Sequence, residues 1–447
     1  MTATAQEATP QRSALFVAAY DSQLKWCGRI RTELANRGFQ TAVVVPEVRS
    51  ALSPAQIRDA GFQDVETVSW QQVIERGAVS DVVVCSLSGP LARAFCIALA
   101  DRTAAITGPP PVVVTGWVGV LIEKVVAGYL DRCGSDVVAV NAVSDLATFL
   151  DAAGRLDLPV DNLLLAGLPF LTSTPRPLQT GPVRRVLFAD QPTVPSSERE
   201  RLYVYRQLLH YAERHPEREV LLKPRHRKGE DTFHRMNHHP EDLLAGDTLP
   251  ANFRFVYTPI AELVADVDLL LTLSSTACLE ALDAGCRVGL ILDLGVHERY
   301  GNHVFLDSGL LRTFAQIEED QLGHPDPDWF ASYFFSTTGS AAKRIGDRVE
   351  ELLRTGDRPS QAVQRSAYFT SAVQAHRALA PDFGVPPTRA RPYGAQALRR
   401  RQLRHGTVRG TLAHISSALV PPILSLSLRT LGHRAKLLSA GGRRPTR

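Results

Sequence analysis

Three adjacent hydroxyl residues follow an apolar run and have the chemistry to bind an anion. Ser274-Ser275-Thr276 comes directly after Asp268–Leu273 and precedes a helical pattern that Gly285 ends. The first amides of a helix are free to donate hydrogen bonds, and the helix dipole favours phosphate there. We therefore predict a phosphate site at this turn, with ordinary helix capping as the alternative. Glu280 lies one helical turn further and could accept hydrogen bonds from a ribose.

A second polar turn concentrates positive charge. The apolar run Glu219–Leu222 is followed by Lys223-Pro224-Arg225-His226-Arg227-Lys228-Gly229. Lysine and arginine form charge-assisted hydrogen bonds with phosphate oxygens, so Lys223 and Arg225 are predicted to bind a nucleotide phosphate. His226 could bind the same phosphate or protonate a leaving group. A solvated basic loop is the alternative interpretation.

A third, longer polar loop extends from Asp293 to His303 and could line the pocket of a nucleotide-activated donor. We place Asn302 of this loop among the donor-binding residues. No Asp-x-Asp motif stands at the end of a predicted strand. Asp326-Pro327-Asp328 has that spacing but lies in a proline-rich loop. We therefore expect no metal and no cofactor.

The amino-terminal part of the chain offers a candidate base and turns for a second ligand. Asp21 and Lys25 follow the apolar run Ala14–Ala18, and Asp21 could deprotonate a hydroxyl or cap the next helix. The glycines of Gly116-Trp117-Val118-Gly119 would allow a ligand to approach the backbone closely. Glu123, one turn into the predicted next helix, is the second candidate base. These residues form the predicted acceptor side.

These turns need a scaffold in which strands end at one edge. Short apolar runs alternate with amphipathic stretches, which is typical of β-α-β units and parallel sheets buried on both faces. The predicted strands are Ala14–Ala18, Thr41–Val45, Asp81–Cys85, Pro111–Thr115, Asp136–Val140, Leu163–Ala166, Arg185–Ala189, Glu219–Leu222, Phe253–Tyr257, Asp268–Leu273 and Arg287–Leu292. The predicted helices are Leu24–Arg37, Pro90–Asp101, Val118–Cys133, Ser144–Ala153, Ser196–Arg214, Pro259–Ala265, Thr276–Ala284, Ala341–Arg354 and Gln361–Leu379.

The alternation occurs twice, on either side of a linker. Four prolines stand between Leu168 and Pro182, and the strand pattern restarts after them. The predicted fold class is α/β, with two Rossmann-like domains facing a cleft, which is the GT-B architecture. Ligands bind beyond the carboxyl ends of strands in such sheets. The predicted division is a disordered N-terminus (1–12), an acceptor domain (13–180), a nucleotide-donor domain (181–380) and a basic tail (381–447), partly disordered or lying on a membrane surface.

Charge is distributed unevenly along the 447 residues. Thirteen of the 50 Lys and Arg residues lie at or after Arg389, where there is no Asp or Glu, while the rest carries all 46 acidic residues. The segment Thr411–Leu428 has no charged residue, and Pro421-Pro422 interrupts it, which favours an interfacial element over a spanning helix. Only Tyr393 is an aromatic residue among the basic residues of the tail, which disfavours stacking on nucleic acid. The six cysteines show no CxxC spacing and favour a reduced compartment, and residues 1–12 do not form a signal-peptide pattern.

Two short motifs resemble those of bacterial capsule-type transferases. Lys223-Pro224-Arg225-His226, with Ser274-Ser275-Thr276 further on, resembles the His-Pro and Ser-Ser/Thr motifs that hold the nucleotide phosphate in bacterial sialyl- and polysialyltransferases. In this chain Arg227, and not proline, follows His226. Residues 13–380 also resemble an uncharacterised actinobacterial group of glycosyltransferases that has turns like Asp21-Ser22 and Gly116-Trp117-Val118-Gly119. The resemblance implies a metal-independent GT-B enzyme.

These observations together predict a glycosyltransferase. It would move a sugar from a nucleotide-activated donor, cytidine- or uridine-linked, to a cell-envelope glycan or glycolipid. We expect it in the cytoplasm, at the inner face of the membrane, held near an anionic surface by its basic tail and binding no nucleic acid. The alternatives are a sugar-nucleotide epimerase of the same fold and a non-catalytic membrane-associated scaffold.

Overall fold

The computed structural model describes residues 11–47, 52–63, 65–172, 174–230, 236–335 and 339–379. The predictions for residues 1–10 and for the basic tail, 381–447, concern residues outside these ranges. The strands are β1 (Ser13–Val17), β2 (Gln40–Pro46), β3 (Glu66–Val68), β4 (Val82–Cys85), β5 (Val112–Gly116), β6 (Val137–Val140), β7 (Leu163–Leu165), β8 (Arg185–Ala189), β9 (Glu219–Lys223), β10 (Phe253–Phe255), β11 (Leu269–Thr272), β12 (Arg287–Ile291) and β13 (Leu311–Arg312).

The strands form two sheets in which every pair is parallel. The first sheet has the order β3-β2-β1-β4-β5-β6-β7, and the second has the order β10-β9-β8-β11-β12-β13. Both orders reverse direction beside the first strand of their half, as in Rossmann-like sheets. The predicted α/β fold with two Rossmann-like halves is therefore confirmed.

The helices are α1 (Asp21–Asn36), α2 (Pro54–Asp59), α3 (Trp70–Ala78), α4 (Gly89–Thr103), α5 (Val125–Leu130), α6 (Val143–Arg155), α7 (Glu198–Arg214), α8 (Pro240–Leu243), α9 (Ile260–Leu263), α10 (Ala277–Asp283), α11 (Phe314–Glu318), α12 (Pro327–Tyr333), α13 (Ala341–Thr355), α14 (Pro359–Gln364) and α15 (Ala367–Leu379). They cover both faces of each sheet. In β1, Phe16 packs with α1 and α13, whereas its neighbour Val17 packs with α3 and α4. Burial on both faces explains why the strands read as continuous apolar runs.

The last helices return to the first sheet, which differs from the predicted division at residue 380. Ile345 and Val349 of α13 join the core that covers one face of the first sheet. Arg37 at the end of α1 forms ion pairs with Asp347 and Glu350 of α13. An amphipathic pattern predicts a buried face but does not say which sheet buries it, so the sequence assigned α13 to the preceding domain.

Three local predictions are corrected. The predicted helix Val118–Cys133 is helical only in α5, and residues 117–124 form a loop. The predicted helix Gln361–Leu379 is two helices, because the Ser366 hydroxyl accepts a hydrogen bond from the Phe369 amide at 3.2 Å and starts α15. The short edge strands β3 and β13 and the helices α2 and α3 were not predicted. Two or three residues at a sheet edge carry too little apolar pattern to be recognised.

Candidate functional site

The carboxyl ends of the two sheets meet across a cleft. Arg225, after β9, forms an ion pair with Asp21, after β1. The Ser53 hydroxyl of the first half donates to Glu230 of the second at 2.7 Å. The Val120 amide, after β5, donates to the Thr276 hydroxyl, after β11, at 3.1 Å. The turns selected from the sequence by the strand-end rule therefore contact one another.

A group of ionisable side chains lies where these turns meet. Burial, together with the charges of Arg225 and Lys25, lowers the pKa of Lys223 to about 8. Burial raises the pKa of Glu280 above its usual range, and Lys25 and Arg225 oppose that rise. Since each group is affected by charges from both halves, the cleft holds cations and a carboxylate close together. We call Asp21, Lys25, Lys223, Arg225 and Glu280 the cleft cluster.

The cleft cluster contains two ionisable groups that the protein leaves without hydrogen-bond partners. In the described ranges, neither the Lys223 ammonium nor the Glu280 carboxylate makes a hydrogen bond to another residue. Both are affected by surrounding charges without being paired. A partly buried ammonium that makes no hydrogen bond to a nearby carboxylate, and that two other cations repel, is a site at which an anionic ligand would be stabilised.

The hydroxyls of Ser274-Ser275-Thr276 differ in how far the protein uses them, and only that of Ser274 donates a hydrogen bond to a described residue. The buried Ser274 hydroxyl donates to the Tyr300 carbonyl, and its amide donates to the Gln191 side chain at 3.0 Å. The Ser275 hydroxyl accepts from the Ala277 amide at 3.3 Å, as a cap does. The Thr276 hydroxyl accepts from the first half, as described above. The Ser274 hydroxyl is therefore used by the local fold, whereas phosphate contacts of Ser275 and Thr276 stay a prediction.

His226 is also a structural residue, contrary to its predicted contact with a phosphate or a leaving group. Its ring is buried; Nδ1 donates to the Arg227 carbonyl at 3.0 Å, and Nε2 accepts from the Met236 amide at 3.2 Å. With both nitrogens engaged, the ring cannot exchange a proton with a substrate without breaking this loop. The sequence showed an ionisable type in a basic turn, but only the folded loop shows these partners.

The rest of the basic turn is divided between partners. Lys228 forms an ion pair with Asp242, and the guanidinium of Arg227 lies 4.5 Å from the centre of the Tyr257 ring. Only Lys223 and Arg225 belong to the cleft cluster. Of the four cations in this turn that were predicted to act on one anion, two remain available to do so.

Asn302 holds the loop 293–303 together, and its predicted role in donor binding is corrected. Its Oδ1 accepts from the His297 amide at 3.0 Å, and its Nδ2 donates to the Gly295 carbonyl at 2.9 Å. The side chain is fully buried. Its amide is thus used to shape the loop, and the buried side chain is not exposed to a ligand in the cleft.

The Gly116-Trp117-Val118-Gly119 turn is a rigid wall of the cleft. Asn141 donates to the carbonyls of Trp117 and Gly119 at 3.0 and 2.8 Å, and the buried Arg132 donates to the carbonyl of Gly116 at 3.0 Å. The Trp117 ring stacks on Phe149, with centroids 5.0 Å apart. The Trp117 ring packs against the core of the first half and stays partly exposed, so its role on the acceptor side stays a prediction.

Protein atoms occupy the space that the two glycines provide. A Cβ at Gly119 would lie 2.5 Å from the Thr276 hydroxyl, and one at Gly116 would lie 2.7 Å from the Trp26 ring. These glycines therefore allow two parts of the protein to pack closely together, whereas the sequence predicted that they would admit a ligand. Glu123 is exposed in the loop before α5 and not one turn into a helix, which corrects its placement.

Sequence reasoning missed a buried charged group at the end of β8. Asp190, which follows that strand directly, forms an ion pair with Arg201 and accepts from the Tyr205 hydroxyl at 2.7 Å. Arg201 also donates to the carbonyl of Gln191, the residue that holds Ser274. Burial raises the pKa of Asp190 to about 6 despite this partner. The strand-end rule would have selected Asp190, as it selected Asp21.

Within ranges 11–379, gaps excluded, no group of three or more His, Cys, Asp or Glu side chains is arranged to hold a metal ion. No helix among the residues that the structure describes has the length and apolar character needed to cross a bilayer.

Two parallel sheets whose carboxyl ends face one cleft define the GT-B class of α/β proteins. A structure titled "putative UDP-N-acetylglucosamine 2-epimerase" from Listeria monocytogenes is similar, with a TM-score of 0.52 and 12% identity over 78% of this chain and 99% of that one. Arabidopsis thaliana UGT89C1 complexed with UDP-L-rhamnose gives a TM-score of 0.50 and 11% identity over 78% of this chain and 100% of that one. At these identities the likeness shows the fold alone.

The sequence itself identifies the family. The chain belongs to the family described as "Putative glycosyltransferase (DUF6716)", whose model matches residues 14–352. The match covers both sheets and every member of the cleft cluster. A search of curated proteins gives no significant match.

Proposed function

We propose that this chain transfers a sugar from a nucleotide-activated donor to a hydroxyl of a cell-envelope glycan or glycolipid, without a metal ion. The observation that carries the proposal is the cleft cluster. It combines an unpaired, partly buried Lys223 and an arginine with a carboxylate from the opposite half. The family description supports the reaction class.

In this proposal the second half binds the donor. Lys223 and Arg225 neutralise the phosphate, whose negative charge grows as the bond to the sugar breaks. Glu280 accepts hydrogen bonds from the ribose hydroxyls, because its carboxylate has no hydrogen-bond donor among the described residues. Ser275 and Thr276 position the turn, while Ser274, His226 and Asn302 hold its surroundings.

The first half supplies the base and the acceptor surface. Asp21 accepts the proton of the acceptor hydroxyl as that oxygen attacks the anomeric carbon. Lys25, on the same helix, adds positive charge near the leaving group. The basic tail would hold the enzyme at an anionic membrane surface, close to a lipid-linked acceptor.

A thermal-shift screen with matched lysine variants tests the donor site. CMP, CDP, UDP, GDP and UMP are each added with magnesium or with a chelator to wild type, Lys223→Met and Lys228→Met. Lys228 is the control because it lies in the same turn but pairs with Asp242. A ligand at a hundredfold excess over its Kd stabilises by about 2.7 kcal/mol. We expect one nucleotide to stabilise wild type and Lys228→Met equally, with or without magnesium, and to bind Lys223→Met about ten- to a hundredfold more weakly.

The pH dependence of binding identifies the group responsible. The pKa of Lys223 is about 8, so raising the pH through that value removes the charge that the phosphate needs. Nucleotide affinity of the wild type should fall between pH 7 and 9, while the residual affinity of Lys223→Met should show no such fall. Failure of every nucleotide to stabilise the wild type would contradict the proposal. Release of an epimerised sugar without transfer would favour the epimerase alternative.

A further inference from the structure

We propose that the Asp21–Arg225 ion pair is a latch that the donor phosphate displaces, so that the base becomes available only after the donor has bound. The inference rests on the proposed function and adds an order of events to it. It assigns Arg225 two successive partners: a carboxylate of its own chain and then an anionic ligand.

The first observation is the placement of the pair. Asp21 is the first residue of α1, and Arg225 lies in the turn after β9, so the contact joins the two halves across the cleft. The Asp21 side chain is 15% exposed and that of Arg225 39% exposed. Asp21 does not cap its helix, since the N-cap residue is Tyr20 and no capping hydrogen bond is made. The Asp21 carboxylate thus bonds to the opposite half of the protein and does not cap its own helix.

The second observation is how little of Arg225 the pair uses. One nitrogen, Nη2, donates to one oxygen of Asp21. A guanidinium has five donors in a planar fork and binds phosphate through two parallel hydrogen bonds. A phosphate that approaches Lys223 therefore offers Arg225 a better partner than Asp21 does.

The third observation is the charge around the pair. Arg225 and Lys25 lower the pKa of Lys223, which shows that these cations repel one another in the cleft. Asp21 relieves part of that repulsion in the closed cleft. A phosphate relieves more of it, because it carries greater negative charge and lies among all three cations. Displacement of Asp21 is therefore favoured when the donor enters.

The consequence is that donor binding and base activation are coupled. While Arg225 holds Asp21, the guanidinium occupies the carboxylate oxygen that would otherwise face a hydroxyl. Once the phosphate takes Arg225, Asp21 is free to accept the acceptor's proton. Removing Asp21 should then have opposite effects on the two steps: tighter donor binding and loss of transfer.

The test measures nucleotide affinity of the full chain by calorimetry, with UDP and CMP as probes, in wild type, Asp21→Asn and Asp59→Asn. Asp59 is the matched control, since it is an exposed carboxylate that acts on Lys223 through space but makes no hydrogen bond to Arg225. We expect Asp21→Asn to bind a nucleotide about three- to tenfold more tightly and Asp59→Asn no more than about twofold, because a partly exposed pair is a modest competitor. Asp21→Ser serves if the asparagine variant does not fold.

A second arm removes the arginine. In an Arg225→Gln background, Asp21→Asn should produce no gain in affinity, since no latch remains to be released. Equal gains from Asp21→Asn and Asp59→Asn, or a gain that persists without Arg225, would overturn the latch while leaving the donor site intact. Absence of binding of both nucleotides to the wild type and to every variant would overturn the latch and the donor site together.

Discussion

The two edges of the cleft are built differently. On the first half, Arg132 and Asn141 hold the backbone of the Gly116–Gly119 turn, and that turn carries no ionisable group. On the second half, Lys223 and Glu280 project unpaired charges, while the buried Asp190–Arg201 pair supports the neighbouring turn. Apart from Asp21 and Lys25, the first edge is thus a wall of backbone groups, whereas the second edge carries the other charges of the cleft cluster.

This difference indicates what each edge of the cleft can contribute to ligand binding. Backbone carbonyls that are satisfied by buried side chains keep a fixed shape, which suits an acceptor surface. Groups held at shifted pKa values store unfavourable electrostatic energy that a ligand of opposite charge can relieve. A buried arginine stands behind each edge, but its partners differ: carbonyls behind the first edge and a carboxylate behind the second.

The largest expected effect comes from removing these two arginines. Arg201→Met should destabilise the second half by about 3–5 kcal/mol at pH 8, because Asp190 is left as an uncompensated buried charge. The pKa of Asp190 is already about 6 and rises further without Arg201, so at pH 5 the carboxyl is neutral and the loss should be smaller. Arg132→Met should cost about 1–3 kcal/mol with a smaller pH dependence, because its hydrogen bonds go to carbonyls, which do not titrate, and Asp131 acts on it only through space. Urea unfolding at pH 5 and pH 8 measures both; equal pH dependence would contradict the distinction.

The second prediction concerns a buried carboxyl at the contact between the halves. Asp145 lies near the start of α6, 8% exposed with Oδ2 lacking a hydrogen bond, and burial raises its pKa to about 7. The folded chain therefore holds this proton more tightly than the unfolded chain, and stability falls as pH rises from about 4 to about 7. Asp145→Asn should be more stable than wild type at pH 8 by about 2–4 kcal/mol, and equally stable at pH 4.

Asp151→Asn is the control for this prediction. Asp151 lies on the same helix but is exposed and paired with Arg155, which lowers its pKa, so its removal should act in the opposite direction. Thermal unfolding across the pH range follows both variants. A pH-independent difference between Asp145→Asn and wild type would show that the Asp145 carboxyl does not titrate as described.

The smallest effect tests the contact between the two edges. A Cβ at Gly119 meets the Thr276 hydroxyl, so Gly119→Ala should cost about 1–3 kcal/mol. In a Thr276→Ala background the hydroxyl is absent, and the added cost should be smaller. Gly116→Ala faces Trp26 and Ala139 instead, so its cost should be unchanged by Thr276→Ala. Thermal unfolding of the three single and two double variants measures the coupling; additivity at Gly119 would contradict the contact.

Much of the framework could be predicted because it is local. The strands at 185–189 and 287–291 were recognised because strands buried on both faces show continuous apolar runs. The loop at 117–124 was not, because its apolar residues resemble a helix, and its hydrogen bonds to Asn141 and Thr276 come from distant parts of the chain. Similarly, His226 and Asn302 have the residue types of a binding site, yet their polar atoms are engaged by backbone groups of their own loops.

The sequence by itself determined the two parallel sheets and the turns that end their strands, because period and residue type are properties of short segments. The tertiary structure alone decided which polar groups remain available, because a hydrogen bond to a distant residue leaves no trace in local pattern. In the folded protein α13 packs on the first sheet, and the Ser274 amide bonds to Gln191. Lys223 lies in the cleft without a hydrogen-bond partner among the described residues. Burial and the charges of both halves, which meet only on folding, give that lysine its lowered pKa.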